Sequence, residues 1–503
     1  MIASRHITEP GEACLLEEPL QPCVVVIFGA TGDLAMRKLL PALYDLSVSA
    51  VLPAACVILG CGRSRLDDAA FRDRARTALE QRRTLDTGGW HRFAGRLFYQ
   101  RLTYDSPDSF TSLARRLEAL ESGHATGGNR IFYLALPPSL YPLTSAMIGR
   151  HCLQRPAGER PGWTRLVIEK PFGHDLASAL ELDTGLHRTF REEEIFRIDH
   201  YLAKETVQNI LLFRFANAIF EPVWNRQFID HVRINAVESL GIGGRAAYYE
   251  QAGVIRDMFQ NHMMQLLALT AMEPPSRFAT REVQDEKSKV FRALRPFDRH
   301  RLQDQVVLGQ YGPGTVDGRQ VPGYRQEPGV AAGSLTPTFA SMQVFIDNWR
   351  WQGVPFHLTS GKRLAAKHTE IIIQFREVPH SMLRDLLGEH ITANRLCIGI
   401  APEEKISLTF QAKTPGAALC LRSVTMDFRY ESMAGGAPVD GYAKVLIECM
   451  QGDQLLFWRQ DGVELSWQFL TPILECWERC DNREEMLVFY PAGSRLADIV
   501  GPE

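Results

Sequence analysis

From Cys23 to about Phe215, short apolar runs alternate with longer amphipathic segments, the pattern of a parallel sheet covered by helices. Six runs read as strands: Cys23–Phe28, Cys56–Gly62, Arg96–Leu102, Arg130–Leu136, Arg165–Lys170 and Glu194–Asp199. Helical stretches such as Leu66–Arg83 lie between them, punctuated by Gly88-Gly89, Gly127-Gly128 and Pro137-Pro138. After Phe215 the rhythm changes. Phe228–Gly241, Thr338–Trp351, Thr369–Phe375, Arg395–Ala401 and Lys405–Lys413 carry β patterning with few helices between the later ones, so an antiparallel or mixed sheet is expected. One long helix is predicted from about Gly253 to Met272, and the Gly/Pro-rich stretch Gly312–Ser334 reads as a loop or oligomer arm. The expected fold class is therefore an α/β Rossmann-type doubly wound parallel sheet followed by a larger α+β domain with a mostly antiparallel sheet. Boundaries are placed at 1–21 for an N-terminal tail, 22–200 for the first domain and 201–503 for the second.

Composition narrows the classes. The 503 residues are 45% hydrophobic and 23% charged, enough for large cores and against disorder. A net charge of -3 gives no reason to expect nucleic acid or an anionic membrane as a partner. Acids occupy the N-terminal stretch where a signal peptide has its apolar core, and no later run approaches the roughly 18 apolar residues of a membrane helix; a soluble, cytoplasmic protein is expected. The ten cysteines form no CxxC pair, so neither a zinc site nor a disulfide framework is indicated, and no metal is expected.

Candidate chemistry begins where the first strand runs into GATGDLA, Gly29–Ala35. Glycines permit a tight turn and close approach of the backbone to a pyrophosphate, and the following helix N-terminus supplies N–H groups and dipole. After the second strand stands Arg63 and no acid, which favours the 2′-phosphate of NADP over the ribose hydroxyl of NAD. A surface Arg answering Asp67 or Asp68 is the plainer alternative, and NAD use stays open as the weaker one. The first domain is accordingly expected to bind NADP. Farther along, RIDHYLAKE, Arg197–Glu205, packs a carboxylate, an imidazole, a phenol and an ammonium into a strand-to-helix junction. Such a junction suits a phosphate or carboxylate, although a capped helix with solvated His and Lys has the same pattern. In the predicted helix from Gly253, Asp257 and His262 would stand roughly 140° apart at about 100° per residue, flanking a cleft; a lone His on an apolar helix is more often a core residue.

Together EKPFGHD (Glu169–Asp175), RIDHYLAKE and GVIRDMFQNH (Gly253–His262), behind the GATGDLA turn, resemble the glucose-6-phosphate dehydrogenase family. RSRL (Arg63–Leu66), LALPPSLY (Leu134–Tyr141), VESLG (Val237–Gly241) and SGKRL (Ser360–Leu364) extend the resemblance over nearly the whole chain. It implies oxidation of β-D-glucose 6-phosphate at C1 to the 6-phospho-lactone, with hydride passing to NADP. By resemblance His262 takes the proton of the C1 hydroxyl, and Asp199 holds the imidazole in the needed tautomer. His200, Tyr201 and Lys204 match the phosphate-binding set, Glu238 and Asp257 the acceptors of sugar hydroxyls, and Lys362 and Lys367 basic positions of the same pocket. Gly29, Thr31, Gly32, Asp33 and Leu34 form the cofactor turn, Arg63 and Tyr141 match cofactor contacts, and Lys170 falls between sugar and nicotinamide, before a Pro171 that the family places after a cis peptide. A homodimer or homotetramer is implied.

The chain also departs from the family pattern. Ala401 stands where some members have a Gln that contacts the sugar, and Gly399 where some have an Arg for a second, structural NADP; one dinucleotide per subunit is expected. Sugar dehydrogenases that share a Rossmann domain and a Glu-Lys-Pro motif are an alternative, but they lack the RIDHYLAKE set. A catalytically silent sensor on the same scaffold is another, and the intact Asp199 and His262 weigh against it. A P-loop kinase ranks below both, because no Gly-x4-Gly-Lys-Ser/Thr loop occurs.

Overall fold

The computed structural model describes residues 5–6, 14–15, 19–153, 162–202, 204–380, 382, 392–416, 420–430 and 440–501. Two compact units emerge: Met1–Phe172 with Glu181–His200 and Val439–Trp458, and Gly173–Leu180 with Tyr201–Pro438 and Arg459–Glu503. The first unit thus takes in residues 439–458, far beyond the 22–200 segment.

All six expected strands of the first unit form: β1 (Val24–Phe28), β2 (Val57–Gly62), β3 (Leu97–Arg101), β4 (Arg130–Leu134), β5 (Thr164–Ile168) and β6 (Ile195–Ile198). They run parallel in the order β3-β2-β1-β4-β5-β6, and a two-residue strand, Phe457–Trp458, adds antiparallel to β6. Every residue of β1 and β2 is buried, as expected where helices cover both faces and the run is continuously apolar. The helices start where the sequence caps them. Asp67 accepts the Ala70 N–H at 2.8 Å ahead of α1 (Asp68–Glu80), and Ser106 accepts the Ser109 N–H ahead of α2 (Pro107–His124), which has Pro in its first turn. Strand order reverses between β1 and β4, which opens a crevice at their carboxyl ends.

The second unit is built on a nine-stranded sheet. Its strands are β7 (Ile229–Val237), β8 (Val306–Gly312), β9 (Phe339–Val344), β10 (Phe356–Gly361), β11 (His368–Phe375), β12 (Arg395–Ala401), β13 (Lys405–Lys413), β14 (Leu421–Arg429) and β15 (Val488–Pro491). Their order is β14-β13-β12-β11-β7-β10-β9-β8-β15, antiparallel except for the pairs β7/β10 and β8/β15. Four of these strands, β8, β10, β14 and β15, lie outside the expected β segments; β14 is exposed at most positions, and β15 has only four residues and ends in Pro491.

One expectation is corrected here and another gains detail. The Gly312–Ser334 stretch is more than a loop: it holds a small hairpin, Gly314–Val316 with Arg319–Val321, and a turn that buries Tyr324 in a core cluster with Tyr249, Tyr311 and Tyr490. The expected long helix forms; at its start Gly253, at φ 57° and ψ -178°, kinks the chain inside Ala246–Val254, a conformation essentially restricted to glycine. Beyond it Ile255–Met263 winds as a wide π-helix, with the Met264 N–H reaching the Phe259 carbonyl, before regular winding resumes at Met264–Ala271.

Candidate active site

In the first unit, the turn after β1 forms the floor of a cavity of about 970 Å³. Gly29, Thr31 and Gly32 line it with Gly62, Arg63 and Ser64 after β2 and Ala135 to Pro137 after β4. Gly29 sits at φ 79°, and a Cβ there would fall 2.2 Å from the Ala135 carbonyl oxygen, so only glycine lets β1 and β4 end this close together. Its N–H donates to the Cys61 carbonyl at 2.9 Å, and the Gly32 N–H closes the turn on the Gly29 carbonyl at 2.9 Å. This backbone-lined concavity at a helix start fits a dinucleotide pyrophosphate.

Thr31 lies with its hydroxyl 3.4 Å from that of Ser64, and Arg74 donates to the Thr31 carbonyl at 2.9 Å. Asp33 is exposed and pairs with Arg37 one helical turn on; Leu34 is half-buried. Arg63 is exposed at the rim. The acids that offered the plainer reading of Arg63 are engaged elsewhere. Asp67 caps α1, and Asp68 accepts the Tyr99 N–H at 2.7 Å and Arg116 at 2.9 Å. Tyr104, unmarked in the sequence, also lines the cavity, and burial pushes its phenol up to about 12.

The end of β5 brings a second group together. Lys170 is half-buried there and its peptide to Pro171 is cis. Glu169, which lies inside a quoted motif but had no expected role, is its buried hub. It accepts the Tyr133 hydroxyl at 2.5 Å and His200 Nε2 at 3.3 Å, and its carbonyl accepts the Tyr141 hydroxyl at 3.1 Å. Tyr141, expected at the cofactor, is fully buried under Glu169. His200 is held on its other side by Tyr442, ring centroids 4.3 Å apart, and Lys38 stands 5.7 Å from the Tyr442 ring. Asp199 is 1% exposed. Nearby in sequence, Asp183, His187 and Glu192 converge with metal-like spacing, but Arg197 donates to Asp183 at 2.7 Å and to Glu192 at 2.8 Å and supplies the positive charge there.

In the second unit, two parallel neighbours deliver one pair of residues. β7 and β10 pair Val237 with Gly361, so the residues that follow, Glu238 and Lys362, emerge side by side. The buried Lys362 ammonium lies 2.5 Å from Glu238 and 3.9 Å from Asp257. The Lys362 carbonyl accepts the Tyr490 hydroxyl at 2.7 Å, which fixes the turn to the tyrosine-rich core. Tyr248 donates to Asp257 at 3.2 Å, and burial together with this carboxylate drives its phenol well above the ordinary range. Lys367 is exposed on the turn between β10 and β11. Tyr248 was not among the residues expected at the site.

In the wide winding of Ile255–Met263 each residue turns less than in a regular helix, so Asp257 and His262 stand closer around the axis than the 140° that regular spacing gives. His262 is 5% exposed. Tyr201 stacks on it, with centroids 4.0 Å apart and planes 21° apart, and the Lys204 ammonium lies 4.4 Å from the Tyr201 ring. Lys204 is the N-cap of the helix Glu205–Phe215, as the junction pattern anticipated.

A glycine turn at the switch point of a parallel sheet, and a second unit carrying a buried histidine and lysine-bridged carboxylates, define the class as a nicotinamide-dinucleotide-dependent oxidoreductase. Residues 26–209 match the family described as "Glucose-6-phosphate dehydrogenase, NAD binding domain", and residues 211–500 the "Glucose-6-phosphate dehydrogenase, C-terminal domain". The chain is 44% identical over 452 residues to glucose-6-phosphate 1-dehydrogenase of Aggregatibacter actinomycetemcomitans, covering 90% of each. It is 43% identical over 478 residues to that of Chlamydia pneumoniae, covering 94% of this chain and 92% of the relative. A solved glucose-6-phosphate dehydrogenase in complex with its substrate glucose-6-phosphate is similar at a TM-score of 0.87 and 36% identity, covering 95% of this chain and 96% of that one. The chain belongs to the glucose-6-phosphate dehydrogenase family.

Proposed function

We propose that this chain oxidises β-D-glucose 6-phosphate at C1 to 6-phospho-D-glucono-1,5-lactone with NADP, as the first step of the oxidative pentose phosphate pathway. The observation that carries this function is the grouping of a buried imidazole, His262, with Tyr201 and the Lys204 ammonium in one unit. A base and a cation for an anionic substrate are thereby built together. His262 takes the C1 hydroxyl proton, and neutral imidazole suits the task because it titrates near working pH. Asp199 keeps the orienting role, and His200, Tyr201 and Lys204 the phosphate-binding role, that the family resemblance gives them. Glu238 and Asp257, held by Lys362, accept sugar hydroxyls, and Lys367 adds positive charge at the rim.

The residues at the end of β1 fit a dinucleotide, since Gly29, Thr31 and Gly32 line a cavity of about 970 Å³ beside a helix start. The turn Gly29, Thr31, Gly32, Asp33 and Leu34 would hold its phosphates, Arg63 a 2′-phosphate and Lys170 the nicotinamide end, with the buried Tyr141 supporting the Glu169 backbone behind it. When bound, the nicotinamide supplies the hydride acceptor; NAD serves as the weaker alternative. At Gly399 a Cβ would come within 2.8 Å of the Glu403 carbonyl oxygen, which leaves no room for a larger side chain, consistent with a single dinucleotide per subunit. No described helix is long and apolar enough to cross a membrane. A cytoplasmic location and a homodimer or homotetramer complete the proposal.

The test is NADPH formation at 340 nm with glucose 6-phosphate and, separately, with glucose. Rapid reduction with the phosphorylated sugar alone is expected. Equal turnover of both sugars would assign the chain to the non-phosphorylated sugar dehydrogenases, and no reduction with either would make it a sensor.

A further inference from the structure

We infer that Tyr201 is a positioning residue for the base: its ring sets the plane of the His262 imidazole, while its hydroxyl serves the substrate phosphate. The two rings lie 4.0 Å apart and within 21° of parallel, and the Lys204 ammonium stands 4.4 Å from the Tyr201 ring. A general base must present one ring nitrogen to the C1 hydroxyl along a narrow line of approach. A hydrogen bond at the opposite nitrogen fixes the tautomer but leaves the ring free to rock about that bond. A face-on aromatic ring packed against the imidazole removes this freedom.

Tyr201 is not a core residue that touches the histidine by accident. It is only partly buried, whereas its neighbour Leu202 is 3% exposed and supplies the packing. The helix that carries His262 is itself irregular at Ile255–Met263, so its winding alone does not impose a standard direction on the side chain. Lys204, Tyr201 and His262 therefore form a stack in which the group that recognises the phosphate also orients the base. Binding energy from the remote phosphate is thereby realised at C1.

With His262 as the base, on which this assignment rests, the experiment compares Tyr201→Phe with Tyr201→Leu. It measures kcat, KM for glucose 6-phosphate, and the deuterium isotope effect on kcat with substrate labelled at C1. Both variants lose the hydroxyl and should raise KM to a similar extent. Tyr201→Phe keeps the ring and should hold kcat within about threefold of wild type, whereas Tyr201→Leu should lower kcat by ~10–10²-fold, the scale expected for a misplaced catalytic group, with a larger isotope effect. Tyr201→Gln, of similar reach and polar, takes the place of the Leu variant if that one does not fold. Equal kcat in the ring-bearing and ringless variants overturns the inference while leaving the function intact. An unchanged kcat in His262→Ala removes the base assignment itself.

Discussion

The two units solve the same problem, placing chemistry on a fixed geometry, with different materials. In the first, the cofactor end is made of backbone: a glycine at φ 79° and N–H groups at the ends of regular parallel strands. In the second, the residues proposed for the sugar are side chains carried by a π-helical segment and by the turns after β7 and β10. Each depends on one glycine, but for different reasons. Gly29 is required by conformation and by space, since a Cβ would meet Ala135 at 2.2 Å; Gly253 is required by conformation alone, its nearest neighbours being 3.5 Å away.

Paired substitutions separate these causes. Gly29→Ala should have the larger effect, weakening NADP binding by about 10–10²-fold in a fluorescence titration, because strain of about 1–3 kcal/mol is joined by a backbone clash at the cradle. Gly253→Ala should lower the urea midpoint by the equivalent of about 1–3 kcal/mol with cofactor affinity unchanged. Comparable losses of cofactor affinity in both would erase the distinction. The smallest effect is at the exposed rim. Arg63→Ala should reduce kcat/KM for NADP about tenfold, the scale of one charge-assisted hydrogen bond, and leave kcat/KM with NAD unaltered. An equal loss with both cofactors refutes a 2′-phosphate contact.

The same contrast explains what could be read from the sequence. Strands β1 to β6 and the Gly29 turn follow from local patterns, because a parallel sheet buried on both faces is written as continuous apolar runs closed by glycine. The junction at Lys204 was visible for a similar reason: a strand pattern gives way to a helical one. The π winding of Ile255–Met263 was not visible, since no residue type marks it, and the regular-helix assumption put Asp257 and His262 too far apart around the axis. Tyr442 reaches His200 from a helix late in the chain, and Glu169 gains its role from Tyr133 on the adjacent strand. Only tertiary structure joins such residues. The edge strand β14 went unread although Val424, Met426 and Phe428 alternate with polar residues along it.

The division of labour in the second unit is the central claim, and kcat and KM of His262→Ala and Lys204→Ala, measured side by side with glucose 6-phosphate and NADP, test it most directly. His262→Ala should lose ~10²–10⁴-fold in kcat with little change in KM, as removal of a general base requires. Lys204→Ala should raise KM for glucose 6-phosphate by about tenfold or more and keep most of kcat, as loss of a charge-assisted phosphate contact requires. The same pattern of kcat and KM in both variants would contradict the account.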